Sequence, residues 1–104
     1  MSEVVDDDRE RVLVFIRRKM DLFNAFRNVY LFGSVLSSEG LYNDVDILAV
    51  YDRWNGMIGE AVERAVNELE AGLQLPVDIT VLSENEVREV AFLERIHPTC
   101  LRLK

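Results

Sequence analysis

Residues 45–51 read Val-Asp-Ile-Leu-Ala-Val-Tyr, almost unbroken apolar side chains after Asp46. A strand with one wet face alternates apolar and polar residues, whereas a near-continuous apolar run belongs to a strand covered on both faces. Such a strand requires a sheet with other elements packed against it, an architecture of two or three layers.

The flanking segments supply the remaining parts. Val29-Tyr30-Leu31-Phe32 is a short aromatic and β-branched run stopped by Gly33, which predicts a strand ending in a tight turn. Pro76 opens a third strand, Val77 to Leu82. Val12, Ile16, Met20 and Phe23 recur at helical spacing and predict a helix from about Asp6 to Phe26. Its charges follow the helix dipole, with Asp6, Asp7 and Asp8 at the start and Arg17, Arg18 and Lys19 further on. A second helix is expected from about Asn55 to Gly72, with Met57, Ala61, Ala65 and Leu69 in one row and Gly72 as its stop. Ser83 and Glu86 form a capping-box pattern opening a last helix to about Ile96, ended by Pro98.

The order is helix, strand, strand, helix, strand, helix. The loop between the first two strands is too short for a helical crossover, so they are expected to pair as an antiparallel hairpin. The third strand arrives through a helix and is expected to add on the far side. The fold class is thus α/β (α+β), a small mixed sheet packed with helices.

At 104 residues the chain suits a single domain spanning 1–104. Its 49% hydrophobic and 30% charged residues are the balance of a soluble globular protein. No apolar run approaches the roughly 20 residues of a membrane span. The first residues are acidic where a signal peptide is basic, and the lone Cys100 forms no internal disulfide, so a cytoplasmic location is expected. A net charge of −7 repels polyanions and argues against nucleic acid as a partner. A nucleoside triphosphate remains acceptable if divalent metal sits between its phosphates and the protein's carboxylates. Self-association is left open.

Two features stand out from this scaffold. Gly33-Ser34 falls where a strand turns, and glycine there lets the backbone approach a ligand while exposed amides and the Ser34 hydroxyl face phosphate oxygens. Asp44 and Asp46 are two apart in an extended segment, so both carboxylates point the same way. Like charges held together call for a cation, and oxygen ligands suit Mg2+ or Mn2+. Asp78 interrupts the third strand, and joins the other two if that strand is their neighbour.

Leu31-Phe32-Gly33-Ser34, nine residues, then Asp44-Val45-Asp46-Ile47, resembles the Gly-Ser…Asp-x-Asp signature of the DNA polymerase β-like nucleotidyltransferase superfamily. Pro76-Val77-Asp78-Ile79 is similar to that family's later strand aspartate. Length and element order resemble the minimal (MNT) members. The resemblance implies the nucleotidyltransferase fold and Mg2+- or Mn2+-dependent transfer of a nucleoside monophosphate, with ATP as donor and pyrophosphate released. By the same resemblance, Gly33 and Ser34 hold the triphosphate and Asp44 and Asp46 bind metal. Asp78 ligates a second metal and helps deprotonate the acceptor hydroxyl. Stand-alone members pair as antitoxins with HEPN-domain toxins, and some adenylylate a toxin tyrosine, which implies a protein partner and acceptor here.

Two positions depart from the family pattern. Asn43 stands where many members carry serine, and residues 35–39 hold no cation where an arginine is usual. Phosphate would then lean on metal, loop amides and Arg53 or Arg88. The alternative is a catalytically weak or inactive member that neutralises its partner by binding alone. Among other residues, His97 reads as a helix-end residue and Trp54 with Tyr51 as rim packing rather than a base-stacking pair. Arg17 to Lys19 read as a solvated face, and Tyr42 as an acceptor or modification site by position only. Leu101 and Leu103 are expected to dock on the domain or on a partner.

Overall fold

The central strand obeys its composition. In the computed structural model, which describes residues 2–36, 43–96 and 100–104, β2 (Val45–Tyr51) lies inside a four-stranded sheet and is largely buried. The sheet order is β3-β2-β1-β4, with β1 at Asn28–Phe32, β3 at Val77–Ser83 and β4 at Cys100–Arg102. As expected, β1 and β2 pair antiparallel and β3 adds on the far side of β2, parallel to it. The sheet is therefore mixed, and the fold is α+β.

Side-chain alternation gives the sheet two unlike faces. Val29, Leu31, Val45, Ile47, Ala49 and Val77 point to the main core, where they meet α1 (Ser2–Arg18) and α2 (Gly56–Leu73). Val12, Ile16, Ala65 and Leu69 from those helices are fully enclosed. The other face carries a smaller cluster of Leu48, Val50 and Val87, with Tyr30, Phe32, Leu82 and Phe92 against it. Its cover is α3 (Glu84–Glu89) and α4 (Phe92–Ile96).

Several boundaries differ from the sequence reading. The first helix stops at Arg18 rather than Phe26, and the chain tightens into a 3-10 turn, Met20–Phe23, which sends both Leu22 and Phe23 inward. Gly72 does not end α2. Its bare Cα lies against the Phe15 ring, where a Cβ would collide, so this glycine serves the close packing of α1 on α2. The helix ends instead at Gln74, left-handed at φ 59°, whose N–H donates to the Glu70 carbonyl at 2.9 Å.

The predicted last helix is two short ones, broken at Ala91, which adopts φ 50°. The capping box at its start is present, with the Glu86 N–H donating to Ser83 Oγ at 3.1 Å and the Ser83 N–H to Glu86 Oε1 at 2.8 Å. His97 and Pro98 lie outside the described residues.

β4 was not expected. It pairs antiparallel with β1, and Lys104 extends the tie by donating from Nζ to the Phe26 carbonyl at 2.7 Å. Leu101 and Leu103 thereby pack on the chain's own core. No helix among the described residues is long and apolar enough to cross a membrane.

Candidate active site

The strand register draws the candidate carboxylates together. Asp46 pairs with Phe32 on β1 and with Asp78 on β3, so Phe32, Asp46 and Asp78 form one row across the less covered face. Neighbouring strands are about 4.8 Å apart, which sets the spacing of the Asp46 and Asp78 backbones. The parallel ladder starts at this level, where the Val45 N–H donates to the Pro76 carbonyl at 2.9 Å. Asp44 immediately precedes β2, and its charge is felt at Asp46.

Gly33 follows Phe32 at the end of β1 and lies directly against Asp46. Its φ is +86°, a conformation open to glycine, and a Cβ there would run into the Asp46 carboxylate. Two constraints thus require glycine at this position. The next residues turn into a short 3-10 segment, Ser34–Leu36, with the Leu36 N–H donating to the Gly33 carbonyl at 3.1 Å. Val35 is drawn into the core at 2% exposure, and this anchors the turn while Ser34 stays exposed beside the carboxylate row. No local sequence motif marks Val35 as this anchor.

Burial holds the Asp46 carboxyl above its ordinary value, and the negative charges of Asp44 and Asp78 push it further the same way. A hard divalent cation relieves both effects, and oxygen donors of this kind are the set that Mg2+ or Mn2+ selects. Among the described residues no group of three acidic, histidine or cysteine side chains is placed to hold a metal ion by itself. That is consistent with ligation completed by phosphate oxygens and water, the habit of Mg2+ at triphosphate sites. The row thus offers carboxylate oxygens from Asp46 and Asp78 on adjacent strands, with Gly33 against Asp46.

The sequence model of the nucleotidyltransferase domain family matches residues 16–98. The chain belongs to that family. Among solved structures, the chain is similar to a candidate nucleotidyltransferase from Sulfolobus solfataricus, at 21% identity and a TM-score of 0.60, covering 98% of this chain and 86% of the other. It is also similar to a mutant of the toxin–antitoxin MntA-HpeT, at 17% identity and TM-score 0.56, covering 89% and 72%. A third likeness is to a tri-AMPylated Shewanella oneidensis HEPN toxin in complex with MNT antitoxin, at 18% identity and TM-score 0.49, covering 100% and 72%. No curated protein matches its sequence. At these identities the first two structures establish the shared fold.

The remaining sequence candidates fall elsewhere on the domain. Tyr51 ends β2, five residues beyond Asp46 and so roughly 16 Å along the strand. Trp54 packs edge-on against it at 5.4 Å and stays 61% exposed, the rim packing expected of the pair. Arg53 belongs to the same far end. Arg88 lines a cavity of about 310 Å³ with Arg27, Asn28 and Val50, also at the end away from Asp46. Neither arginine is placed to replace the cation missing from the Gly-Ser loop, contrary to the sequence reading. Tyr42 lies outside the described residues.

Proposed function

We propose that this nucleotidyltransferase acts as a single domain that transfers AMP from ATP, with Mg2+ or Mn2+, to a hydroxyl of a partner protein. The observation that carries the reading is the row of Asp46 and Asp78 in register on adjacent strands, with Gly33 shaped to the Asp46 carboxylate. Asp44 and Asp46 hold the metal, and the Gly33–Ser34 amides and the Ser34 hydroxyl take the triphosphate oxygens. Asp78, on the outer strand, meets the incoming acceptor and takes its proton. The acceptor oxygen attacks the α-phosphorus, the new P–O bond forms, and the bond to the departing pyrophosphate breaks. When bound, the divalent ions supply charge neutralisation on the triphosphate and acidify the acceptor hydroxyl.

The partner is proposed to be a HEPN-type toxin, for which this chain is the antitoxin in the cytoplasm. Support comes from the MNT resemblance of the motif, from the toxin–antitoxin neighbour of the same fold, and from an acidic charge balance that disfavours a polyanionic acceptor. The absence of any cation between Gly33 and Ile47 favours one other reading, in which turnover is weak and the partner is neutralised by occlusion.

The test is incubation of the purified protein with ATP labelled on the α-phosphate, Mg2+ and the product of the adjacent gene. Label is expected on the partner, and is expected to vanish in the Asp44→Ala/Asp46→Ala variant. A partner left unlabelled by wild type, yet still bound and neutralised by the double variant, would support occlusion over transfer.

A further inference from the structure

We infer that Arg95 supplies the phosphate-binding cation that the Gly33–Ser34 loop lacks. The inference rests on the nucleotide site proposed above, and concerns a residue that no sequence motif marks.

A triphosphate brought to three carboxylates needs positive charge beyond two divalent ions, and an arginine fork suits phosphate oxygens. The chain has 12 basic residues, and the fold narrows the choice. Five lie at positions 9, 11, 17, 18 and 19, on or just after α1, and Arg64 on α2, so both helices' cations belong to the layer behind the sheet. Arg27 sits at the far end, paired with Glu84 at 2.9 Å and Asp52 at 3.8 Å. Arg53 and Arg88 share that end. Arg102 on β4 pairs with Tyr30, one row away from Phe32, and its Nε donates to the Lys104 carbonyl at 3.1 Å. Lys104 is engaged with the Phe23 and Phe26 carbonyls. Arg95 remains.

Its position is set by α4. Leu93 lines the far-end cavity beside Tyr30 and Val50. Phe92 instead meets Phe32 edge-on, with ring centres 5.7 Å apart, and Phe32 is the strand neighbour of Asp46. Going from Leu93 to Phe92 therefore moves along β1 towards its Gly33 end. At about 100° per residue, Arg95 lies on the flank of α4 beyond Phe92, opposite to Leu93. Its guanidinium carbon is 6.0 Å from the centre of the Phe92 ring. The side chain is exposed, and among the described residues no ion pair of Arg95 is found. A guanidinium held over an aromatic face keeps its edge donors for an anion. Phe32 and Phe92 thus form a platform that carries this cation towards the open end of the carboxylate row.

The experiment measures binding of the non-hydrolysable analogue adenosine 5′-(α,β-methylene)triphosphate with Mg2+, and of AMP, by calorimetry on the full chain. Arg95→Ala is expected to weaken the triphosphate roughly tenfold, the usual scale of one charge-assisted hydrogen-bonded contact. AMP affinity should change less than twofold, Arg95→Lys should fall between, and Phe92→Leu should weaken the triphosphate by a smaller factor. Equal triphosphate affinity in wild type and Arg95→Ala would overturn the inference while leaving the site reading intact. Equal losses for triphosphate and AMP would overturn it too, since they indicate general damage. A wild-type protein that binds no triphosphate at all would remove the site reading and this inference together.

Discussion

The two faces of the sheet carry opposite designs. Towards α1 and α2, Val29, Leu31, Val45, Ile47 and Ala49 are apolar and enclosed, and Gly72 lets the two helices approach until Phe15 touches bare backbone. Towards α3 and α4, the same strands give up burial at one end: Leu48 and Val50 are covered, but the next inward position on β2 is Asp46. A single strand thus holds a rigid core with one set of side chains and an open charged site with the other. The lesson is that the covered face fixes the backbone from which the charged face projects.

Substitutions on the covered face should have the largest effect on stability. Leu69→Ala removes a fully enclosed side chain, and the expected loss is about 2–5 kcal/mol, typical of a core cavity, seen as a lower urea midpoint. An unchanged midpoint would mean that α2 does not brace the sheet. Gly33→Ala should cost about 1–2 kcal/mol for the left-handed backbone. It should also abolish triphosphate binding, because the new methyl displaces the Asp46 carboxylate. Retained binding would show that the Gly33–Asp46 contact is incidental. Ser83→Ala, which removes the capping box under the thinner cover, should cost about 1 kcal/mol and leave the carboxylate row in place.

Much of this arrangement was legible in the sequence. The apolar run of β2, the helical rows of α2 and the Ser83–Glu86 cap each rest on local periodicity or short-range chemistry, which needs no tertiary information. The aspartate row was legible in part: the two-residue repeat puts Asp44 and Asp46 on one side, while Asp78 joins them only because β3 pairs with β2 in the register Asp46↔Asp78. What was hidden depends on contacts distant in sequence. β4 is three residues long and becomes a strand only by pairing with β1. The break at Ala91 carries no glycine or asparagine to mark its left-handed turn. Gly72 looked like a stop because its role, the Phe15 contact, lies on another helix. The position of Arg95 was invisible for the same reason, since it depends on the packing of Phe92 on Phe32, the last residue of β1.

The smallest effect on stability has the opposite sign. With its folded-state pKa raised, Asp46 binds its proton more tightly in the folded chain than in the unfolded one. Its ionisation therefore destabilises the metal-free protein above the folded pKa, and that penalty disappears as pH falls through this value towards the unfolded one. Asp46→Asn should raise the metal-free melting temperature slightly at pH 7 and flatten its pH dependence in the acid range. A lower melting temperature in the variant would indicate that the carboxylate is already compensated by the protein.

We propose that Asp44, Asp46 and Asp78 form one divalent-metal and triphosphate site. The most direct measurement is titration of Mn2+ by electron paramagnetic resonance, with and without the methylene triphosphate analogue, on wild type and on Asp46→Asn. Wild type should bind Mn2+ more tightly when the analogue is present, and Asp46→Asn should lose that gain. If wild type shows no analogue-dependent binding, or the variant binds equally well, the three carboxylates do not form the site.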